Sequence, residues 1–387
     1  MVAAVQAGGS IRAVARQFRV SRPTVERWMA RAAGKRLDRV EWADRPPIAH
    51  TVCRTPPEVE EHVLVLRREL HAVSALGEYG AVAIRRSWPI ETWGPPPAVR
   101  TIGRILERRG ALDGQRRVRR PAPPRGWYLP AVARGEAECD CFDTVEGLVL
   151  QGGPEIEVLT GIALHGGLPD AWPDVGVTTT RVLTALQGRW QELGLPTFAQ
   201  FDNDTCFQGA HQFPDVVGRV VRLCLQLGLT PVFTPVNDPS FQAALENFNG
   251  RWQAKVWHRF HHAALPALQA RSAAYVAAAR QRESARAADA PARRPFPADW
   301  VFDPRVLPCG QLIYLRRTDA HGAVTLLGHR FSVDPHWPHR LVRTEVTLPG
   351  GPIQCFALRR RAPETQPLLR ELPYELPERR RSFRGWH

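Results

Sequence analysis

The stretch FDNDTCFQG at 201–209, followed by TPVNDPSFQAALENFNGRWQ at 234–253, decides the fold. In the first piece Asp202 stands directly after the apolar run LPTFAQF (195–201). Such a run closed by turn residues reads as a strand ending at an acid. In the second piece Glu246 falls early in a helical pattern that runs from 240 to 260. Between them FPDVVGRVVRLCLQLGL (213–229) reads as a helix and TPVFTPV (230–236) as a strand. The interval from Asp202 to Glu246 therefore holds one helix, one strand and a turn.

Working outward towards the N-terminus, ECDCFDTVEGLVL (138–150) and EIEVLTGIAL (155–164) read as two strands. LPDAWPDVG (168–176) is a short third strand, and TTTRVLTALQGRWQELG (178–194) a capped amphipathic helix. Hairpin strands followed by alternating helices and strands predict an α/β domain with a mixed sheet over 136–265. A third acid, Asp140, lies on its first strand, and Asp143 competes with it. On a strand residues 140 and 143 point to opposite faces, so only one of them faces inward. Asp140, mid-strand in CDCF, is favoured over Asp143, which is nearer the strand exit. Asp140, Asp202 and Glu246 are thus the candidate catalytic carboxylates. Hard oxygen ligands converging from strand ends and a helix suit two divalent ions, Mg²⁺ or Mn²⁺, acting on a phosphodiester. Each acid taken alone reads as a solvated loop or cap carboxylate. The ordered set, with Asn203, Phe207, Pro235 and Asn249 around it, carries the metal reading.

The flanks read as DNA-binding modules. GSIRAVARQFRVSRPTVERWMARAAG (9–34) is helix, tight turn, helix, with Ser21 as N-cap and Pro23 in the first turn. It resembles a helix-turn-helix whose second helix enters the major groove, with Arg22, Thr24 and Arg27 outward. The plain alternative is an ordinary helical hairpin. A second helical unit at 55–112 ends in AVRTIGRILERRGAL, with Arg100 and Arg104 available to DNA. Its alternative is a packing or dimerisation unit. Arg251 and Lys255, four apart on one helix face, are candidate phosphate contacts beside the acids.

The 387 residues carry 52 Lys and Arg against 38 Asp and Glu, a formal net charge of +14. That balance favours a polyanionic partner, although nearly every base is Arg, as a GC-rich genome alone would produce. The seven cysteines lack paired zinc-site spacing. No apolar run approaches a membrane span, so a cytoplasmic, nucleoid-associated protein without a membrane partner is expected.

ECDCFD, FDNDTCF and TPVNDPSFQAALENFN together resemble the retroviral-integrase-type core of bacterial insertion-sequence transposases. The resemblance implies an RNase H-like fold with a D, D, E triad, which maps to Asp140, Asp202 and Glu246. Asn203, Phe207 and Asn249 match the family's contexts, whereas Asp204 stands for its usual Gly and Asn247 for its usual Arg. The multidomain order read along the chain also resembles that family: helix-turn-helix (1–45), second helical or helix-turn-helix unit (55–112), basic Pro-rich linker (113–135), integrase-type core (136–265), helical connector (266–305), small β-barrel (306–362) and basic tail (363–387). The resemblance also implies an oligomer on DNA that cleaves at terminal inverted repeats and transfers strands. The rival expectations are a degenerate or domesticated DNA-binding copy and a structure-specific nuclease on the same fold.

Overall fold

A computed structural model describes residues 1–43, 55–112, 125–209, 213–236, 238–360 and 362–377. The chain divides into two compact units, Met1–Glu60 and Glu61–His387. In the first, α1 (Val2–Gln6), α2 (Ile11–Gln17) and α3 (Arg22–Ala32) follow in close order. Ser10 caps α2, its Oγ accepting from the Ala13 N–H at 3.2 Å. Val14 and Ala15 of α2 are buried against Val25 of α3. Ser21 does not cap α3 through its side chain; its hydroxyl is 2.8 Å from that of Thr24.

The second unit is built on a nine-stranded sheet. Its strands are β1 (Cys139–Val149), β2 (Glu155–Ala163), β3 (Pro169–Asp174), β4 (Phe198–Phe201), β5 (Thr230–Phe233) and β6 (Gly310–Arg317). After the separate hairpin β7 (Ala323–Leu326) and β8 (His329–Ser332) come β9 (Leu341–Leu348), β10 (Gly350–Ala357) and β11 (Leu368–Glu375). The order is β11-β10-β9-β6-β5-β4-β1-β2-β3. β1, β2 and β3 pair antiparallel, while β1, β4 and β5 run parallel. This mixed core is compatible with an RNase H-like fold.

The helices of this unit are α4 (Pro57–Val73), α5 (Ala81–Arg86), α6 (Ile90–Trp93), α7 (Val99–Arg108), α8 (Pro130–Ala133), α9 (Thr179–Leu193), α10 (Thr205–Gln208), α11 (Arg219–Gln226), α12 (Ala243–Trp252) and α13 (Leu265–Ala288). Strand side chains alternate between faces, and both faces are covered. On one, Phe142, Phe201 and Phe233 pack with Trp190 of α9 and Leu223 of α11. On the other, Cys139, Cys141 and Val232 pack with Phe248 and Trp252 of α12 and Tyr275 of α13.

Four expected boundaries change. The linker assigned to 113–135 is shorter, because Trp127, Tyr128, Leu129 and Val132 are buried in the core; its basic part at 113–124 lies outside the described residues. The tail assigned to 363–387 is shorter too, because Leu368–Glu375 is β11 and pairs with β10; its part beyond 377 lies outside the described residues. The connector assigned to 266–305 is part of the core. From α13, Gln269, Ser272 and Arg280 donate to the carbonyls of Pro173, Ala171 and Pro169 at 3.0, 3.1 and 3.0 Å. Those are alternate residues of β3, the sheet's edge, whose outward carbonyls would otherwise offer themselves to another strand.

The last change concerns the barrel at 306–362. Its strands β6, β9 and β10 extend the central sheet instead, while β7 and β8 form their own hairpin: β6 pairs parallel with β5, Val232 opposite Ile313 and Phe233 opposite Tyr314. β5 is buried on both faces, so its second edge needs a partner, and β6 supplies it. Strand patterns in the sequence carry no record of which strand they pair with. Truncation after Pro308 should therefore expose the β5 edge and give insoluble or unfolded protein, read by soluble yield and thermal melting followed by circular dichroism. A truncated chain that melts like the whole would mean these strands form a detachable module.

Candidate active site

The parallel pairing of β1 with β4 sets Cys139, Asp140 and Cys141 opposite Phe198, Ala199 and Gln200. Carried two residues further, the same register brings Asp143 level with Asp202. Phe142 and Phe201 stack between them at 5.4 Å on one face, so by alternation Asp143 and Asp202 turn to the other, towards α12. There Asn249 donates from Nδ2 to Asp143 Oδ2 at 3.2 Å. Glu246 stands one turn earlier on the same helix and is exposed.

Asp140 is not part of this group, which corrects the expected triad. It points to the α9 face and is fully buried. Arg189 donates to its two oxygens at 3.0 and 3.2 Å, Arg293 at 2.9 and 2.8 Å, and the Trp190 indole at 3.1 Å. Arg189 also bonds Asp170, which Arg280 holds through both oxygens at 2.6 Å. Burial alone would raise the Asp140 pKa, but the two guanidiniums outweigh it and hold the carboxyl well below the usual range. Its lone pairs are committed to protein donors.

Asp143 has the opposite environment. Burial pushes its carboxyl up to about 6; Asp202 adds to the rise and Glu246 contributes less, while a hydrogen bond from the Thr144 N–H works against it. Burial also raises Asp202, against a hydrogen bond from the Asp204 N–H at 3.0 Å and with help from the charges of Asp204 and Glu146. Among the described residues no cation partner offsets these acids. Asn249 is 8% exposed, and among the same residues its buried Oδ1 has no partner. Carboxylate oxygens plus an orphaned amide oxygen make a donor set that suits a hard divalent cation and its waters. Among the described residues no three acid, imidazole or thiol groups already stand close enough to close around an ion.

The loop after β4 is fastened from outside the core strands. Asn203 donates to the Thr234 carbonyl at 2.8 Å. Arg316 of β6 donates to Asn203 Oδ1 at 2.8 Å and to the same Thr234 carbonyl at 3.0 Å. Asp204 caps α10, accepting from the Cys206 N–H at 2.7 Å. Arg316 and Glu146 were not picked out in the sequence: the partners of Arg316 lie 82 and 113 positions away, and Glu146 lies in no motif.

The expected DNA contacts separate into free and committed groups. Arg27, Arg100 and Arg104 are exposed, and Arg22 is exposed but paired with Glu26 at 2.7 Å. Arg251 is half-buried and, among the described residues, bonds its own helix at Asn247 O. Lys255 is not offered to a phosphate: its Nζ donates to the Gly77 carbonyl at 3.1 Å. Nearby, Arg259 donates to the carbonyls of Ser74 and His71 at 2.7 and 3.1 Å, at the C-terminal end of α4. Cations at that end satisfy carbonyls the helix leaves open. This basic stripe therefore docks the second helical unit.

No family model and no curated protein matches the sequence. Among solved structures the chain is similar to the catalytic core domain of BIV integrase, with 16% identity and a TM-score of 0.27 over 36% of this chain and 80% of that one. It is similar to the HTLV-2 integrase catalytic core domain in complex with magnesium, with 12% identity and a TM-score of 0.23 over 34% and 69%. It is also similar to a chain of the simian T-cell lymphotropic virus intasome in complex with PP2A regulatory subunit B56 gamma, with 14% identity and a TM-score of 0.33 over 74% and 91%.

The two acids should respond differently to removal. Asp140→Ala leaves buried guanidiniums uncompensated and should cost about 3–5 kcal/mol in urea unfolding. Because its folded pKa is depressed, that contribution is full above the ordinary carboxylate pKa and fades as pH falls below about 4. Asp143→Asn relieves like-charge repulsion and should leave stability unchanged or raised. Equal losses from the two would contradict the separate environments.

Proposed function

We propose that the chain is a DNA transposase of an insertion sequence, a polynucleotidyl transferase that cleaves at terminal inverted repeats and joins the freed 3′ ends to target DNA. The observation supporting it is the register that sets Asp143, within β1, level with Asp202 just past the end of the parallel strand β4, with Glu246 and Asn249 of α12 alongside. Asp143 replaces Asp140 as the first acid of the set. Two Mg²⁺ or Mn²⁺ ions would be held by Asp143, Asp202 and Glu246, and when bound they supply charge neutralisation and a deprotonated attacking oxygen. Asn249 orients the Asp143 carboxylate through its hydrogen bond. The Asn203–Thr234–Arg316 contacts fix the loop that presents Asp202.

Substrate DNA is assigned to the exposed arginines. Arg22 and Arg27, with the partly exposed Thr24, face outward on α3, and Arg100 and Arg104 on α7. In this reading they hold the inverted repeats, and Arg251 holds phosphate near Glu246. Joining two ends requires two active sites held together, so the working form is an oligomer on DNA.

Duplexes carrying the DNA that flanks the gene should be cleaved in Mg²⁺ or Mn²⁺ and give joined products. Asp143→Asn, Asp202→Asn and Glu246→Gln should each lower cleavage by about a hundredfold or more, at least what losing a group behind a metal ligand costs. Wild-type cleavage by Asp143→Asn overturns the assignment. Cleavage without joined products indicates a nuclease, and binding without cleavage a protein that only binds DNA.

A further inference from the structure

On the α12 side of the sheet lies a cavity of about 360 Å³. Arg125, Arg251 and Arg286 line it, together with Trp127, Tyr128 and Phe241, an aromatic group termed its floor. None of its described lining residues is acidic. Arg286 pairs with Glu283 at 3.5 Å, outside the lining, so Arg125 and Arg251 are the lining guanidiniums without an acid partner among the described residues. Arg286 is fixed there by donating to the carbonyls of His165 and Leu164 at 2.6 and 2.8 Å. Arg251 bonds its own helix through Nε alone, at 3.3 Å, and Arg125 is exposed. Gln242 adds a buried donor, Nε2, that has no partner.

The floor is apolar and aromatic. Phe241 packs 5.6 Å from Trp127 and 4.9 Å from Tyr128, centroid to centroid. Ala243, Ala244, Leu245 and Asn247 line the same cavity. They bracket Glu246 in the first turns of α12, so cavity and acid share one rigid element.

We infer that this cavity is a nucleotide subsite: it takes one residue of a DNA strand, the phosphodiester against Arg125, Arg251 and Arg286 and the sugar and base against the apolar floor. A ligand charged at one edge and flat and apolar at the other matches that division. Held there, the strand passes α12 beside Glu246. The inference deepens the transposase reading and rests on it for the identity of the strand.

The test is binding of a fluorescent single-stranded DNA oligonucleotide to the full chain, in EDTA, across a salt series. Arg125→Gln/Arg251→Gln should weaken binding at least tenfold and flatten the slope of log K against log salt by about 1.4, or about 0.7 per lost contact. The control pair Arg305→Gln/Arg370→Gln, exposed elsewhere on the same unit, should change the slope by much less. Arg125→Lys/Arg251→Lys keeps the charge and should retain most of the wild-type slope. Equal losses in the glutamine and control pairs overturn the subsite, and so does a lysine pair as weak as the glutamine pair. Because no metal is present, the outcome is independent of cleavage: an inactive wild type that still shows the slope change leaves the subsite standing and removes only the transposase reading.

Discussion

The parallel pairing of β1 with β4 is the constraint on which the site depends. One register fixes which β1 residue lies beside Asp202, and strand alternation fixes which way it points. Asp143 lands level with Asp202 and faces α12; Asp140 lands on the opposite face, against α9. A slip of one residue would reverse the faces of both aspartates, and a slip of three would bring Asp140 level with Asp202. Phe142 stacked on Phe201, with Trp190 beside it at 6.2 Å, resists such a slip by filling the core on the α9 face.

The two aspartates then illustrate opposite uses of a buried charge. Asp140 is surrounded by two arginines and an indole, and the network continues through Asp170 to Arg280. It ties β1 to α9, to β3, to α13 and to the segment after α13. Replacing any one partner leaves a charge without compensation. Asp143 feels Asp202 and Glu246, and Asp202 feels Asp204 and Glu146; among the described residues neither has a counter-charge, and the Asn249 amide oxygen nearby lacks a donor. Repulsion that no protein group relieves is what a site for an external cation requires.

Much of this was legible in the sequence. The strand ending at Asp202 and the helix bearing Glu246 came from apolar periodicity and turn residues, and the parity that separates residues 140 and 143 was also explicit. Which of the two faces was inward was not, because Arg189 and Arg293 are 49 and 153 residues from Asp140. Asp140 is the second residue of β1 and Asp143 the fifth, so a mid-strand position does not favour Asp140, and burial favours an ion pair as readily as a metal ligand. The C-terminal strands were legible as strands but not as partners of β5, since pairing is a long-range choice. Lys255 looked like a phosphate contact because a helix pattern shows a charged face without showing what is packed on it.

The central claim is that Asp143, and not Asp140, completes the acid set with Asp202 and Glu246. Mn²⁺ binding to the intact chain, titrated by electron paramagnetic resonance, tests it most directly. Asp143→Asn and Asp202→Asn should each weaken Mn²⁺ binding by about tenfold or more, while Asp140→Asn, in the fraction that folds, should bind as the wild type does. Unchanged binding in Asp143→Asn, or its loss in folded Asp140→Asn, would contradict the account.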